Sequence, residues 1–197
     1  MEIQLVHPSD YIAMINLNCV FRNKAYRFNS LTGWLTSRNT TAGGVRNTPY
    51  LKSRHPKAER ALDCVLNPFK TSECKIASKD VTTKKLLCVY VRLLIWLHRY
   101  FYPGIWLASK VRLDIFEDGV DAADAFCKIH PYDQRVLCLP RSIFIATTSK
   151  QFKKSGALFI GVFLPSRHMH AWVIEDNQNV YRHDHIWTNF TPVSIMI

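Results

Sequence analysis

The apolar stretch at residues 86–107, LLCVYVRLLIWLHRYFYPGIWL, constrains the fold of this 197-residue chain more than any other feature. A bilayer-spanning helix needs about 20 consecutive apolar residues, but Arg92, His98 and Arg99 interrupt this stretch. Lys85, Arg92 and Arg99 are spaced seven residues apart, so they lie on one stripe of a helix with apolar residues around the rest. The pattern therefore predicts a buried helix with one solvated edge, and no membrane insertion.

Composition narrows the possible functions. The chain has 26 Lys and Arg against 15 Asp and Glu, which gives a net charge of +11. Basic residues are spread over both halves, without a long run of like charge, a zinc-finger spacing or an RNA-recognition strand. We therefore expect a solvated basic surface and no nucleic-acid partner, although an acidic peptide would suit the same charge. The mean hydropathy of −0.08 argues against a polytopic membrane protein.

The cysteine pattern predicts a reduced, cytoplasmic protein. The N-terminus, MEIQLVHPSDYIAMI, lacks the basic and apolar regions of a signal peptide. None of the six cysteines forms a CxxC pair, so a structural zinc site is not expected. Most of them are predicted to be small core residues. They are Cys19, Cys64, Cys74, Cys88, Cys127 and Cys138.

The first part of the chain is predicted to be a small α+β unit. Residues 10–17 and 25–28 have the composition of strands that flank a polar turn. Ser30 is positioned to cap a short helix, LTGWLTSR, and an irregular loop is predicted at residues 38–56. Pro56 then begins a helix, KAERALDCVL, whose apolar residues have helical spacing.

A polar stretch after this helix predicts a boundary near Asp80, which divides the chain into domains 1–80 and 81–197. The second domain opens with the apolar helix, at about residues 82–102, and Pro103 breaks it. A short helical stretch through residue 111 follows, and then a helix in DGVDAADAFCKIH. The remainder predicts one long helix, LCLPRSIFIATTSKQFKKSG, followed by three antiparallel strands in ALFIGVFLP, RHMHAWVIE and NVYRHDHIW. The predicted fold class is α+β.

Cys138 is the first residue of the long predicted helix, and this position makes it the candidate reactive cysteine of the chain. A thiol at this place faces unpaired backbone N–H groups and the positive end of the helix dipole, which lower its pKa and can receive an oxyanion. His170 lies on a strand that follows the helix, and an imidazole can activate a neighbouring thiol as a nucleophile. A helix-start Cys with a His on the adjoining sheet is the layout of papain-like and transglutaminase-like folds.

The hairpin between the last two strands leaves two chemistries open. If its turn centres on Asn177, His170 lies opposite Asp184, which gives a Cys138–His170–Asp184 triad. If the turn centres between Asp176 and Asn177, four histidines line one face and could hold zinc. These histidines are His168, His170, His183 and His185. The second register is slightly favoured because Asp176-Asn177 would make an ordinary two-residue turn. The spacing of the residues alone does not decide between the two registers.

Three segments in order, LCLPRS, SGALFIGVFLPSRHM and HAWVIE, resemble the leader peptidases of lasso-peptide biosynthesis, called B proteins. In that family the corresponding motifs are C-L-[PT]-[RY]-[SA], G-A-x-L-x-I-G-V and H-[AS]-W-V-E. The interval of 32 residues between Cys138 and His170 and the short tail after the His are also similar. The resemblance covers about the last seventy residues well and the preceding helices loosely.

The resemblance implies a papain/transglutaminase-like second domain in which Cys138 is the nucleophile and His170 the base. Asp184 is the nearest match to the acidic member of the family's triad. The resemblance also implies an N-terminal precursor-recognition domain, small and winged-helix-like, that adds the leader peptide as an extra strand. Residues 1–37 are similar to that pattern, and an exposed sheet edge can capture an extended peptide.

The expected function is therefore removal of the leader from a lasso-peptide precursor by a cytoplasmic cysteine peptidase without a metal or bound cofactor. The resemblance implies one further partner, an ATP-using cyclase related to asparagine synthetase, which closes the ring on the freed amine. The alternatives are a non-catalytic basic module that binds peptide or nucleic acid, and a zinc hydrolase built on the strand histidines.

Overall fold

The computed structural model describes 11 segments of the chain, and all structural statements refer to them. They are residues 14–16, 19–21, 24–29, 34–39, 55–67, 85–100, 111–131, 137–163, 166, 168–181 and 188–197. These segments form an α+β fold, as the sequence predicts. The helices are α1 (Pro56–Leu66), α2 (Lys85–Tyr100), α3 (Gly119–Ile129), α4 (Cys138–Thr148) and α5 (Lys150–Ser155). The strands are β1 (Met14–Asn16), β2 (Cys19–Phe21), β3 (Lys24–Asn29), β4 (Trp34–Asn39), β5 (Ala157–Phe163), β6 (His168–Glu175), β7 (Gln178–Asn179) and β8 (Thr191–Met196).

The main sheet is antiparallel and has the order β1-β8-β5-β6-β7. Four of its strands have three to eight residues, and the two-residue β7 is added at one edge. Six of the seven residues of β5 are buried in succession, because helices cover both faces of the sheet. This burial explains why the segment ALFIGVF is a continuous apolar run rather than an alternating one.

Two apolar cores lie on opposite faces of this sheet. On one face, α4 packs on alternate residues of the central strands, among them Leu158, Ile160 and Val173, and α2 and α3 pack against α4 in the same core. On the other face, α1 packs on Phe159 and Trp172. Because successive side chains of a strand point to opposite faces, β5 and β6 contribute to both cores.

The N-terminal part of the chain contributes a second sheet, in which β3 pairs with β2 and β4. The strand β4 corrects the predicted helix after Ser30, because WLTSRN pairs along the whole of β3. β2 lies in the segment that the sequence assigns to a turn, whereas β1 and β3 confirm the two predicted strands.

Two elements from the first eighty residues belong to the main sheet and its cores: β1 pairs with β8, and α1 covers one face. The proposed boundary at Asp80 lies outside the described residues, so the division into domains 1–80 and 81–197 stays a prediction. Residues 40–54 of the loop predicted at 38–56 also lie outside them, as does the short helical stretch predicted through residue 111 except for Val111 itself.

The structure confirms helices at the predicted positions of α1, α2 and α3. It divides the long predicted helix into α4 and α5 at Ser149, whose hydroxyl accepts a hydrogen bond from the Phe152 N–H at 3.2 Å and so caps α5. In the described part of the chain, no helix has the length and apolarity required to cross a membrane.

The apolar helix α2 is buried on one face only, which corrects the prediction of a buried helix with a single solvated edge. Leu87, Val91 and Leu94 pack into the core beside α4. On the opposite face, four large apolar side chains are 45–61% exposed. They are Leu86, Val89, Leu93 and Trp96.

Candidate functional site

Cys138 is the first residue of α4, as the sequence predicts. The carbonyl of Leu137 begins the helix by accepting a hydrogen bond from the Arg141 N–H at 3.0 Å. Pro140 fits the first turn because its missing N–H would have no partner within the helix. Residues 139–148 are all buried, and this packing outweighs the weak helix propensity of the β-branched residues in the segment.

His170 lies on β6 directly opposite Gly161 of β5. Its imidazole lies between two aromatic rings: the ring centroids are 6.0 Å apart for Trp172 and 5.1 Å apart for Phe190. A Cβ atom at position 161 would lie 2.6 Å from the Trp172 ring and 3.0 Å from the Phe190 Cβ. Glycine therefore provides the space in which the three rings pack together.

The structure brings Cys138 and His170 into contact through a side-chain hydrogen bond. Burial raises the pKa of the Cys138 thiol. This effect is outweighed by the hydrogen bond and charge of His170, a hydrogen bond from the Ala171 backbone N–H and the charge of Arg141. The pKa of Cys138 therefore lies below its ordinary value, which is the property of a reactive cysteine.

Sequence reasoning missed a buried cation beside this pair. Arg141 is 2% exposed, and its guanidinium carbon lies 3.5 Å from the centre of the Tyr181 ring. Burial raises the pKa of the nearby Cys127 thiol, while the Arg141 charge and a hydrogen bond from Tyr181 oppose that effect. The signal in the sequence was the spacing, since Arg141 follows Cys138 by one helical turn.

The turn between β6 and β7 decides between the two registers considered for the hairpin. Asp176 and Asn177 both have positive φ, at 48° and 62°, as expected for a two-residue type I′ turn. Ile174 pairs with Asn179, so the turn centres between residues 176 and 177. The condition for placing Asp184 directly opposite His170 was a turn centred on Asn177, and that condition is not met.

Asp184 lies outside the described residues, as do all of residues 182–187, so its role as the third member of a triad stays a prediction. The same holds for His183 and His185, which the alternative zinc site requires. His168 is described and is exposed at the start of β6. Within the described segments, no group of three potential metal ligands comes together.

Comparisons with protein-family models, with curated proteins and with solved structures found no match for this chain.

Proposed function

We propose that this chain is a cysteine peptidase that removes the leader from a lasso-peptide precursor, as the sequence resemblance implies. The single observation that carries the proposal is the contact between the Cys138 thiol at the start of α4 and the His170 imidazole on β6. A thiol of lowered pKa, joined to an imidazole and placed at a helix N-terminus, has the parts needed for nucleophilic attack on an amide.

In the first half of the reaction, His170 takes the thiol proton and the Cys138 sulfur attacks the scissile carbonyl carbon. The carbonyl oxygen becomes an oxyanion. The N–H groups of Cys138 and Leu139 are available to it, because N–H groups in a first helical turn have no carbonyl partner within the helix. Pro140, the next residue, has no N–H to offer. The α4 dipole favours the negative charge at the same place.

In the second half, the His170 imidazolium gives its proton to the departing amine of the core peptide, and the leader remains as a thioester on Cys138. Water, deprotonated by His170, then hydrolyses the thioester and releases the leader with a free carboxylate. The core peptide leaves with a free amine, which the proposed ATP-using cyclase would use to close the ring.

The proposal includes a finer fold assignment. A helix-start cysteine packed on an antiparallel sheet supports a transglutaminase-like second domain. The role of Asp184 as the group that orients His170 rests on the sequence resemblance alone. The small antiparallel sheet β2-β3-β4 supports a winged-helix-like recognition domain, because its outer strands offer edges to an extended leader. Action in the cytoplasm is part of the same proposal.

The test is co-expression of this chain with candidate lasso-precursor peptides from the same genome, followed by mass spectrometry of the peptides. We expect the wild type to release the leader and Cys138→Ala to leave the precursor intact. Cys88→Ala, which changes a half-buried cysteine on α2, is the matched control and should process the precursor normally.

Leader removal by Cys138→Ala would overturn the nucleophile assignment. A non-catalytic binding module would bind the precursor and leave it intact in the wild type as well as in the variant. The two functions are separated by adding a pull-down of the precursor with each protein.

A further inference from the structure

We infer that the exposed face of α2 docks an acidic amphipathic helix of a partner protein. The apolar stripe is the set of four exposed side chains on this face. It consists of Leu86, Val89, Leu93 and Trp96, and these side chains are 45–61% exposed. The inference concerns a surface that the proposed peptidase chemistry does not use.

The spacing of the apolar stripe is that of a coiled-coil seam. Its members follow one another at intervals of three, four and three residues, which are the a and d positions of two heptads. At 100° per residue they span about 80° of the helix, narrower than the face that a helix buries against a globular core. A second helix laid along α2 would cover all four side chains at once.

The opposite face of α2 already has its own partner. Leu87, Val91 and Leu94 are at most 3% exposed within the core. The Tyr90 hydroxyl also forms a hydrogen bond of 2.9 Å with the Thr147 hydroxyl of α4. The apolar stripe is therefore displayed by a helix that is fixed in place, so a partner helix would meet a preorganised surface.

Charge complementarity selects the chemistry of the partner. Lys85 and Arg92 are exposed and occupy successive g positions of the same heptads, beside the apolar stripe. Residues at e and g positions form the ion pairs that choose a coiled-coil partner. α2 has no Asp or Glu, and the chain has a net charge of +11. A second copy of α2 would thus bring no carboxylate to these cations, whereas an acidic helix would.

The narrow apolar stripe, with cations along one side of it, favours a protein helix over a membrane surface as the partner of α2. A helix that lies in a membrane interface buries a broad apolar face into the headgroup region. Here the apolar stripe spans only about 80° of the helix, and the opposite face of α2 is held in the core by Leu87, Val91 and Leu94. An anionic lipid surface is accordingly an outcome that the experiment separates from a protein helix.

The experiment measures binding of two labelled synthetic peptides to the full-length protein by fluorescence anisotropy. Both are three-heptad helices with Leu at a and d; one carries Glu at e and g, and the other carries Lys. We expect the Glu peptide to bind at least tenfold more tightly than the Lys peptide. Leu93→Glu should reduce its affinity at least tenfold, and Arg92→Glu should remove most of the preference between the peptides, because it leaves one cation and one anion beside the apolar stripe.

Lys154→Glu, which reverses an exposed charge on α5, is the matched control and should leave the affinity within twofold of the wild type. Val89→Glu provides a second stripe variant, and circular dichroism checks that each variant is folded. Cys138→Ala should bind the Glu peptide normally, so the result is separate from the peptidase proposal. Equal binding of the two peptides would overturn the inference, as would binding only to vesicles of phosphatidylcholine and phosphatidylserine in a 4:1 ratio.

Discussion

At the scale of single residues, the reactivity of Cys138 depends on where the backbone places it. The residue is one of several half-buried or buried cysteines in the described segments that form no disulfide, together with Cys64, Cys88 and Cys127. Burial raises the pKa of both Cys127 and Cys138, but only Cys138 receives the hydrogen bond and charge of His170, and only its pKa is lowered overall. The His170 imidazole is therefore the strongest influence that lowers the pKa of Cys138 and that Cys127 lacks.

We predict that His170→Ala shifts the pH profile of Cys138 alkylation to higher pH. The imidazole lowers the pKa of the thiol, so its removal leaves burial as the dominant effect and reduces the thiolate fraction at neutral pH. The measurement is the rate of iodoacetamide modification of Cys138 from pH 5 to pH 10, followed by peptide mapping. Leader removal by the same variant should be slower by about 10²–10⁴-fold, the usual contribution of a general base.

His168→Ala is the control for this experiment, because His168 is exposed on the same strand, two residues from His170. Its alkylation profile should follow that of the wild type. An unchanged profile in His170→Ala would mean that the imidazole does not set the ionisation of Cys138, and it would remove the main support for the catalytic pair.

At the scale of elements, the sequence predicted helix α4 from its first turn but could not predict its end. Pro140 and the terminal lysines indicate a single helix, because the two signals mark its start and finish. The chain breaks at Ser149 because tertiary partners compete for this residue: Phe116 forms a bridge with it, and its hydroxyl donates to the Glu175 Oε1 at 2.8 Å. These partners are distant in sequence, so the local sequence pattern around Ser149 does not indicate them.

The strand β4 shows a second limit of prediction from local sequence signals. The segment after Ser30 has a good helix cap and mixed composition, yet WLTSRN pairs with β3 over six residues. Pairing with a neighbouring strand outweighs such local signals. By contrast, the helix-start Cys138 and the strand His170 were both located correctly, because a proline-marked helix start and a β-rich run are local properties. Predicting that these two side chains meet required knowledge of the strand order in the sheet. The resemblance implied that arrangement, whereas the residue spacing alone did not.

A buried carboxyl group links three elements and should make stability depend on pH. Glu175, at the end of β6, accepts hydrogen bonds from the Gly119 N–H of α3 and the Ser149 hydroxyl, both at 2.8 Å. Burial raises its pKa to about 7, although these two hydrogen bonds oppose the shift. A raised pKa means that the folded state binds the proton more tightly than the unfolded chain does.

We predict that the free energy of unfolding contributed by Glu175 is fully present below about pH 4.5 and is lost as the pH rises to about 7. The loss is on the order of 3 kcal/mol, from about 1.4 kcal/mol for each pH unit between those values. Urea unfolding at several pH values should show that Glu175→Gln lacks this loss. Glu117→Gln is the control, since Glu117 is 73% exposed and paired with Lys150. An identical pH dependence in the wild type and Glu175→Gln would contradict the prediction.

At the scale of the whole molecule, the question is whether residues 81–197 form a unit of their own. The polar segment before residue 81 predicts that they do. The fold gives a reason to expect otherwise, because α1 buries Leu62 and Val65 against the face of the sheet that carries Phe159 and Trp172. The Lys57 ammonium adds a polar link by donating to the Phe152 carbonyl at 2.9 Å.

We predict that a fragment comprising residues 81–197 does not fold stably, because removal of α1 exposes an apolar sheet face to water. Each large side chain that loses its cover costs about 1.5–3 kcal/mol, and domains of this size have only about 5–15 kcal/mol of stability. The measurement is urea unfolding together with binding of a hydrophobic dye, in comparison with the full chain.

In the full chain, Leu62→Ala should lower the free energy of unfolding by about 2–5 kcal/mol, since it opens a cavity beneath α1. Glu59→Ala, at an exposed position of the same helix, should change it by less than about 0.5 kcal/mol. If the fragment instead unfolded cooperatively with the stability of the full chain, and Leu62→Ala had no effect, α1 would belong to a separate N-terminal domain and the division near residue 80 would hold.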